Sequence, residues 1–356
     1  MRTAVRRATA VLLPLLLAVT TVAATHSTAS AATPKPFRSS VWLPYWHIDS
    51  AVSEVVKNAT LFGTASMFWY DATSCSTVTS YPGAGNRAEI AALRRKHVKV
   101  VATVTATGLT PSRAIACFAN PKLRKAHIRK LVQLARSRAY AGIDIDYENL
   151  ALTTSPAKAK RVRAAFSLFV RDLCTALRKA HKSCTVTVMP RTDDRLSVWR
   201  GKLIPAVYDY AAIGAAATRM RVMAYDQHAG AYGPGPIAGM PWVRKIIAYT
   251  KSQVQLSKVE LGVPTYGRDF SRGSSVSLFG DDATALARRY GRTVRWDAKQ
   301  GECTFTYRSR GVKHTVWFDC PRAVAKRTRL AQLRGMAGAA YWAAGLAPSG
   351  TWRRLR

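Results

Sequence analysis

The sequence predicts an α/β chain closed into a (β/α)8 TIM barrel, with a small α+β insertion between strands 7 and 8. Two observations carry the barrel. Eight short β-prone apolar runs recur along the chain, namely Val41–Trp46, Thr64–Tyr70, Val98–Val104, Gly142–Tyr147, Thr185–Met189, Arg221–Tyr225, Val259–Pro264 and Gly338–Trp342. Amphipathic helical stretches separate them, the pattern of a parallel sheet with crossover helices. A third observation weighs against the alternative, an open doubly wound sheet. No Gly-rich phosphate loop follows the first run, so the nucleotide-binding form of that fold lacks its signature.

In chain order, Arg2, Arg6 and Arg7 precede an apolar stretch from Ala8 to Ala24, and Ala29-Ser30-Ala31 offers a small-x-small cleavage pattern. Residues 1–31 are read as a signal peptide of an exported protein, followed by a short linker over 32–40. An uncleaved anchor is the alternative, but the stretch is short and rich in Ala and Thr, and no second candidate span follows it. The barrel domain is expected over 41–350. The clearest helix follows the fourth run. Ser155-Pro156 reads as an N-cap with proline at the first helical position, and Val162, Phe166, Phe169, Leu173 and Leu177 fall on one helical face. Between the seventh and eighth runs, about 267–318, β-prone pieces such as Thr304–Tyr307 and His314–Phe318 mark the insertion.

Six cysteines, none in a CxxC pair, suggest three disulfides in an exported chain. Proximity favours Cys174 with Cys184 and Cys303 with Cys320, leaving Cys75 for Cys117, though six cysteines allow many pairings. The formal charge of +36 arises from 55 basic against 19 acidic residues, spread along the chain. Such a surface concentrates polyanions. For an exported protein these are anionic cell-wall polymers rather than nucleic acid, unless the charge serves solubility alone. A monomer is expected.

The most informative segment is Tyr140-Ala-Gly-Ile-Asp-Ile-Asp-Tyr-Glu-Asn149. On a strand, Asp144, Asp146 and Glu148 point to one face and Ile143, Ile145 and Tyr147 to the other. Three carboxyls this close cannot all ionise cheaply, so at least one is held protonated near neutral pH, which is how a general acid is made. An edge strand with solvated acids would dispense with the burial that the isoleucines imply. A Mg²⁺ site is the other alternative, but a linear array on one strand lacks companion ligands. The histidines form no HExxH and no Gly-x-Ser-x-Gly elbow is present, so no metal ligands are assigned.

This segment resembles the Asp-Gly-x-Asp-x-Asp-x-Glu signature of glycoside hydrolase family 18, matching at Gly142, Asp144, Asp146 and Glu148. The signature's first Asp is Ala141 here, which is expected to remove the outer member of the carboxylate chain and retune the inner pair. Met223-Ala-Tyr-Asp226 resembles the family's Met-x-Tyr-Asp element, Tyr341-Trp342 its subsite-floor tryptophan, and Tyr45-Trp46 and Phe68-Trp69-Tyr70 its aromatic strand ends. Val263-Pro-Thr-Tyr-Gly267, Pro234-Gly-Pro236 and Trp242 resemble the cell-wall and spore-cortex lytic branch. The resemblance implies a cofactor-free, substrate-assisted, retaining glycosidase acting on N-acetylhexosamine polymers. Glu148 would be the proton donor and Asp146 would orient the substrate amide, with Asp144 as its partner. Tyr225 would hold the amide carbonyl. Tyr45, Trp69, Met223, Asp226 and Trp342 would bind sugar. The alternative is a glycan-binding protein on the same barrel, its catalysis impaired at Ala141.

Overall fold

The computed structural model of the protein describes Ala4 and residues 37–356. Eight parallel strands form the barrel: β1 (Ser39–Pro44), β2 (Phe62–Ala72), β3 (Lys99–Thr105), β4 (Gly142–Asp146), β5 (Ser183–Val188), β6 (Arg219–Val222), β7 (Val259–Pro264) and β8 (Gly338–Trp342). Each pairs with its neighbours in chain order. β1 closes the ring by pairing with both β2 and β8, with Ser40 opposite Ala340 and Val41 opposite Tyr341. The expected barrel is thus the observed one.

Several boundaries move. β1 begins at Ser39, so the expected linker 32–40 loses its last two residues to a buried strand; residues 32–36, and all of the expected signal peptide 1–31 except Ala4, lie outside the described residues. The first run ends at Pro44, after which Tyr45–His47 turn through one 3-10 helix. The sixth run ends at Val222, so Met223 to Asp226 form the loop beyond the strand. Among the described residues no helix is long and apolar enough to cross a membrane.

The helix after β4 runs from Pro156 to Lys179, with the Ser155 side chain accepting a hydrogen bond from Lys158 N. Its face of Val162, Phe166, Phe169, Leu173 and Leu177 is buried. Burying such a row at about 1.5–3 kcal/mol per large side chain is what fixes the helix against the sheet. Tyr147, just past β4, stacks on Phe169 of this helix, and Ile143 and Ile145 of the strand are buried in the same cluster.

A hairpin that the sequence did not suggest, Leu196–Trp199 with Lys202–Pro205, follows β5. The insertion after β7 is a five-stranded antiparallel sheet from Gly267–Ser271 to Val312–Phe318, with the helix Asp282–Arg289 packed on it. It has its own apolar cluster of Phe305, Val316 and Phe318 with Ala283 and Ala287. Disulfides join Cys75 to Cys117, Cys174 to Cys184 and Cys303 to Cys320, with 42, 10 and 17 residues of separation. By loop-closure entropy, each removes about 3–4 kcal/mol from the unfolded chain.

Candidate active site

The interior of the barrel is polar where an ordinary core would be apolar. Arg221 on β6, 1 % exposed, donates from Nε to Glu260 Oε2 at 2.7 Å and from Nη1 to Asp144 Oδ2 at 2.7 Å and Ser66 Oγ at 2.7 Å. Asp144 also accepts from Trp42 Nε1 at 2.9 Å, Thr103 Oγ1 at 3.0 Å and Thr187 Oγ1 at 2.9 Å. Ser40 Oγ donates to Glu260 Oε1 at 2.6 Å. Seven of the eight strands therefore converge on one ion cluster, and its carboxylates are supplied with the donors that burial demands.

One step towards the mouth, that supply stops. Asp146, 5 % exposed, has no hydrogen-bond partner for Oδ1. Its pKa is raised well above the ordinary range, first by burial and then by the Glu148 and Asp144 charges, against the pull of Arg221. Glu148, just past the end of β4 and partly exposed, is also raised by burial and by Asp226, while Arg200 and a hydrogen bond from Trp199 act downwards. Two adjacent carboxyls that both favour the proton are the kind of pair that acid catalysis calls for.

The end of β4 is held firmly. Tyr147, buried between Phe118 and Phe169, bonds His127 Nε2 at 2.8 Å, and Tyr208 Oη donates to the Tyr147 carbonyl at 2.8 Å. Burial drives the His127 pKa down to about 4, so its ring is neutral at pH 7. Asn149 Nδ2 donates to Thr107 O at 2.8 Å on the far side of Glu148. With both flanking residues anchored, the glutamate projects from a fixed backbone.

A cleft of about 440 Å³ opens above, at the carboxyl ends of the strands where barrel chemistry collects. Asp146, Glu148, Met223, Tyr225, Asp226 and Trp342 line it. Tyr225 lies against β7 because position 262 is glycine: a Cβ there would come within 3.0 Å of Tyr225 Cε1 and 2.5 Å of Val222 O. Asp226 is held by Tyr266 Oη at 2.5 Å and Arg268 Nη2 at 2.7 Å. Trp342 packs edge-on against Phe68 and Trp42, centroids 5.1 and 5.8 Å away, and forms an apolar floor.

Three expectations fail. Trp69 is fully buried in the main core, because alternation along β2 puts Ser66 and Phe68 inside and turns Trp69 towards the helices; Phe68 lines the cleft instead. Tyr45 stacks on Tyr81, centroids 4.4 Å apart, while Trp46, 46 % exposed, takes the cleft edge. Ala141 precedes β4 on the face opposite Asp144 and Asp146, beside Arg94, Lys99 and Lys182 and away from the cleft. An Asp there would not extend the carboxylate column. Sequence reasoning also missed Arg221 and Glu260, the wall residues Trp199 and Arg200 of the hairpin, and Arg268 and Phe279 of the insertion. The mouth of the barrel is thus walled by both added pieces.

The model of "Glycosyl hydrolases family 18" matches residues 39–347. The chain is 30 % identical over 245 residues to the "Uncharacterized glycosylase YvbX" of Bacillus subtilis, covering 67 % of each. It is also 30 % identical to the "Cortical fragment-lytic enzyme" of Bacillus anthracis, over 65 % of this chain and 53 % of the relative. The chain thus spans between half and two thirds of the length of these curated relatives. Among solved structures, a chitinase from Chromobacterium violaceum superposes with TM-score 0.79 at 26 % identity, over 90 % of this chain and 98 % of that one. The Bacillus cereus spore cortex-lytic enzyme SleL superposes with TM-score 0.77 over 90 % and 73 %; at 20 % identity it speaks to the fold alone.

Proposed function

The chain belongs to glycosyl hydrolase family 18, and from that premise we propose that it is a secreted glycosidase that hydrolyses β-1,4-linked N-acetylglucosamine-containing polymers, chitin or peptidoglycan, with retention and with the substrate's own acetamido group as nucleophile. The observation that carries the reading is the bare Oδ1 of Asp146, buried beside Glu148 at the foot of a cleft that Tyr225 also lines. An amide N–H of a bound N-acetyl group supplies the missing donor.

Glu148 delivers its proton to the glycosidic oxygen as the C1–O bond breaks. The acetamido oxygen closes on C1 and gives an oxazolinium ion, with Tyr225 directing its hydroxyl to that oxygen. Positive charge grows on the ring as this happens. Asp146, whose ionised form is disfavoured in the empty site, passes its proton to the carboxylate that Glu148 has just vacated and faces the growing charge as a carboxylate, taking the proton back as that charge is lost, so the stabilisation is confined to the transition state. Water then opens the ring, with Glu148 now acting as base.

Asp146 itself is badly placed as a nucleophile. It shares the wall of Glu148, two residues away along one strand, whereas a nucleophilic carboxylate attacks from the opposite face of the sugar. Asp226, also in the cleft, is occupied by Arg268 and Tyr266. The tethered acetamide avoids the entropic cost of a separate nucleophile. The aromatic edges Trp46 and Phe279, 46 % and 36 % exposed, present flat apolar surfaces to sugar faces on either rim. Outside the cleft, the basic surface would hold the enzyme on anionic wall polymers.

The test uses N-acetylglucosamine oligomers with and without their acetyl groups. Deacetylated oligomers are expected to bind without being cleaved, and a thiazoline mimic of the cyclised intermediate to inhibit. Efficient cleavage of fully deacetylated oligomers, or a glycosyl ester trapped on an aspartate, would overturn the mechanism.

A further inference from the structure

Two arginines face the cleft, and they differ in what they hold. Arg268 is occupied by Asp226 at 2.7 Å. Arg200 is exposed, lies over the Trp199 ring with its Cζ 5.3 Å from the centroid, and makes no ion pair among the described residues.

Its position is built rather than loose. Arg200 and Gly201 are the two-residue tip of the hairpin after β5, with φ of 46° and 80°, the left-handed pair that a tight hairpin turn requires. Gly201 N donates to the Asp226 carbonyl at 2.8 Å, which pins the tip to the loop after β6. A Cβ on residue 201 would come within 3.0 Å of Ala229 N and 3.1 Å of Tyr232 Cβ, so the tip sits flush against that loop. The turn conformation alone says nothing about function. Arg272-Gly273 and Arg310-Gly311 in the insertion repeat the same pair of positive φ values, yet neither arginine lines the cleft. What distinguishes Arg200 is where its tip points.

A free cation beside a proton donor carries a chemical penalty. It stabilises the ionised glutamate and weakens the acid in the empty enzyme. Arg200 acts on Glu148 in this sense, against burial. A substrate that brings its own carboxylate to Arg200 would cancel the penalty on binding.

We infer that Arg200 binds a carboxylate carried by the sugar chain in the cleft, so that the enzyme selects an anionic N-acetylglucosamine polymer over a neutral one. The carboxylate's source is either an ether-linked lactyl group or a uronate in the chain. This inference rests on the glycosidase reading above and narrows its substrate class. The planar guanidinium suits a carboxylate bidentately, and its indole support leaves one edge free to donate.

The test compares peptide-free glycan strands bearing lactyl carboxylates, the same strands converted to methylamides, and oligosaccharides alternating N-acetylglucosamine with glucuronate. Wild-type protein is expected to prefer the lactyl strands over their methylamides by roughly tenfold to a hundredfold in kcat/KM, the range of a charge-assisted hydrogen bond. Arg200→Gln should collapse that ratio towards one, and Arg200→Lys should restore part of it. A preference transferred to the glucuronate oligosaccharides would assign the carboxylate to a uronate.

The basic limb of the pH profile gives a second readout. Glu148 shares its surroundings with Asp146, Asp226, Tyr225, Tyr266, Arg200 and Arg268 in the cleft and with the buried Tyr208 behind it. Removing the cation lifts the glutamate's pKa, so Arg200→Gln should move the basic limb on neutral oligomers to higher pH. Binding to the Glu148→Gln form, measured by calorimetry with and without Arg200→Gln, reads the same ratio without turnover. If deacetylated oligomers are cleaved while the carboxylate preference persists, the mechanism fails and the inference stands. A carboxylate-to-methylamide ratio that is near one in wild-type protein, or unchanged by Arg200→Gln, overturns the inference.

Discussion

Arg221 and Arg327 are both sunk out of solvent between two carboxylates, yet the two clusters serve different ends. Arg221 ties Asp144 to Glu260 inside the barrel. Arg327, in the helix Pro321–Leu333, ties Glu302 of the insertion to Asp319 and donates to the Ala238 carbonyl, while Glu302 accepts from Ile237 N and Ala238 N. The second cluster therefore stitches the insertion, the loop after β6 and the last long helix together. A buried carboxyl oxygen also stays bare beside the first cluster, Oδ1 of Asp146, and within the second, Oδ2 of Asp319. Burial raises both pKa values well above the ordinary range. Asp319 is sealed at 0 % exposure, whereas Asp146 opens onto the cleft. A buried arginine–carboxylate cluster is thus a fastener where it is closed and the base of a candidate active site where a further carboxyl opens onto a cleft.

The largest effects should come from removing the arginines. Arg221→Met and Arg327→Met each leave buried carboxylates uncompensated and should each cost about 3–5 kcal/mol of stability. At a temperature where both variants remain folded, Arg327→Met should keep kcat within a few-fold, while Arg221→Met should lose it. Denaturant melts paired with turnover decide this, and equal loss of kcat in both would dissolve the contrast.

Next comes Glu148→Gln, which keeps shape and removes the proton. Turnover should fall at least about a hundredfold, with the melting temperature unchanged or raised. A variant retaining more than half of wild-type activity would remove Glu148 from its role.

Asp146→Asn and Asp319→Asn sharpen the comparison through pH. A carboxyl whose folded pKa is raised contributes fully below its unfolded pKa of about 3.9 and penalises folding as pH climbs through the folded value. Asp146→Asn should therefore match wild type near pH 3.5 and gain on it towards neutrality, by roughly 2–4 °C in Tm for each kcal/mol recovered, whereas Asp319→Asn also breaks the buried pair to Arg327 and should lose stability near neutrality. Only Asp146→Asn should lose activity. A gain that shrinks as pH rises would reverse the assigned direction of the shifts.

The smallest effect concerns the surface. Binding to an anionic wall preparation should weaken between 0.1 and 1 M salt, as the Debye length drops from about 10 to about 3 Å, while cleavage of short neutral oligomers changes little. Equal salt sensitivity of both would deny the basic surface a separate anchoring role.

Much of this was legible in the sequence where a local pattern carries the structure. The acids of β4 announce their shared face by spacing, the helix after them announces its start through Ser155-Pro156, and the cysteine spacings suggested the pairs that form. What was not legible depends on phase and distance. The run Phe68-Trp69-Tyr70 alternates visibly, but nothing within it says which side is the interior; only the bond from Arg221 to Ser66 does. Arg221 itself reads as the polar start of a strand, since its partners lie 77 and 39 residues away. The hairpin that carries Arg200 is built from two four-residue strands, too short for periodicity to register.

The closing seam of the barrel sets an order of events. β1 must wait for β8, which lies some 300 residues downstream, and Ser39 and Tyr341 meet across 302 positions. At about 5–20 residues per second of synthesis, tens of seconds separate the two halves of that seam. Trp42, which donates to Asp144, and Trp342, which floors the cleft, stand on opposite sides of it. A nascent or truncated chain therefore has the acids of β4 but no floor to the cleft above them, and the proposed glycosidase activity would come into being only with the final strand.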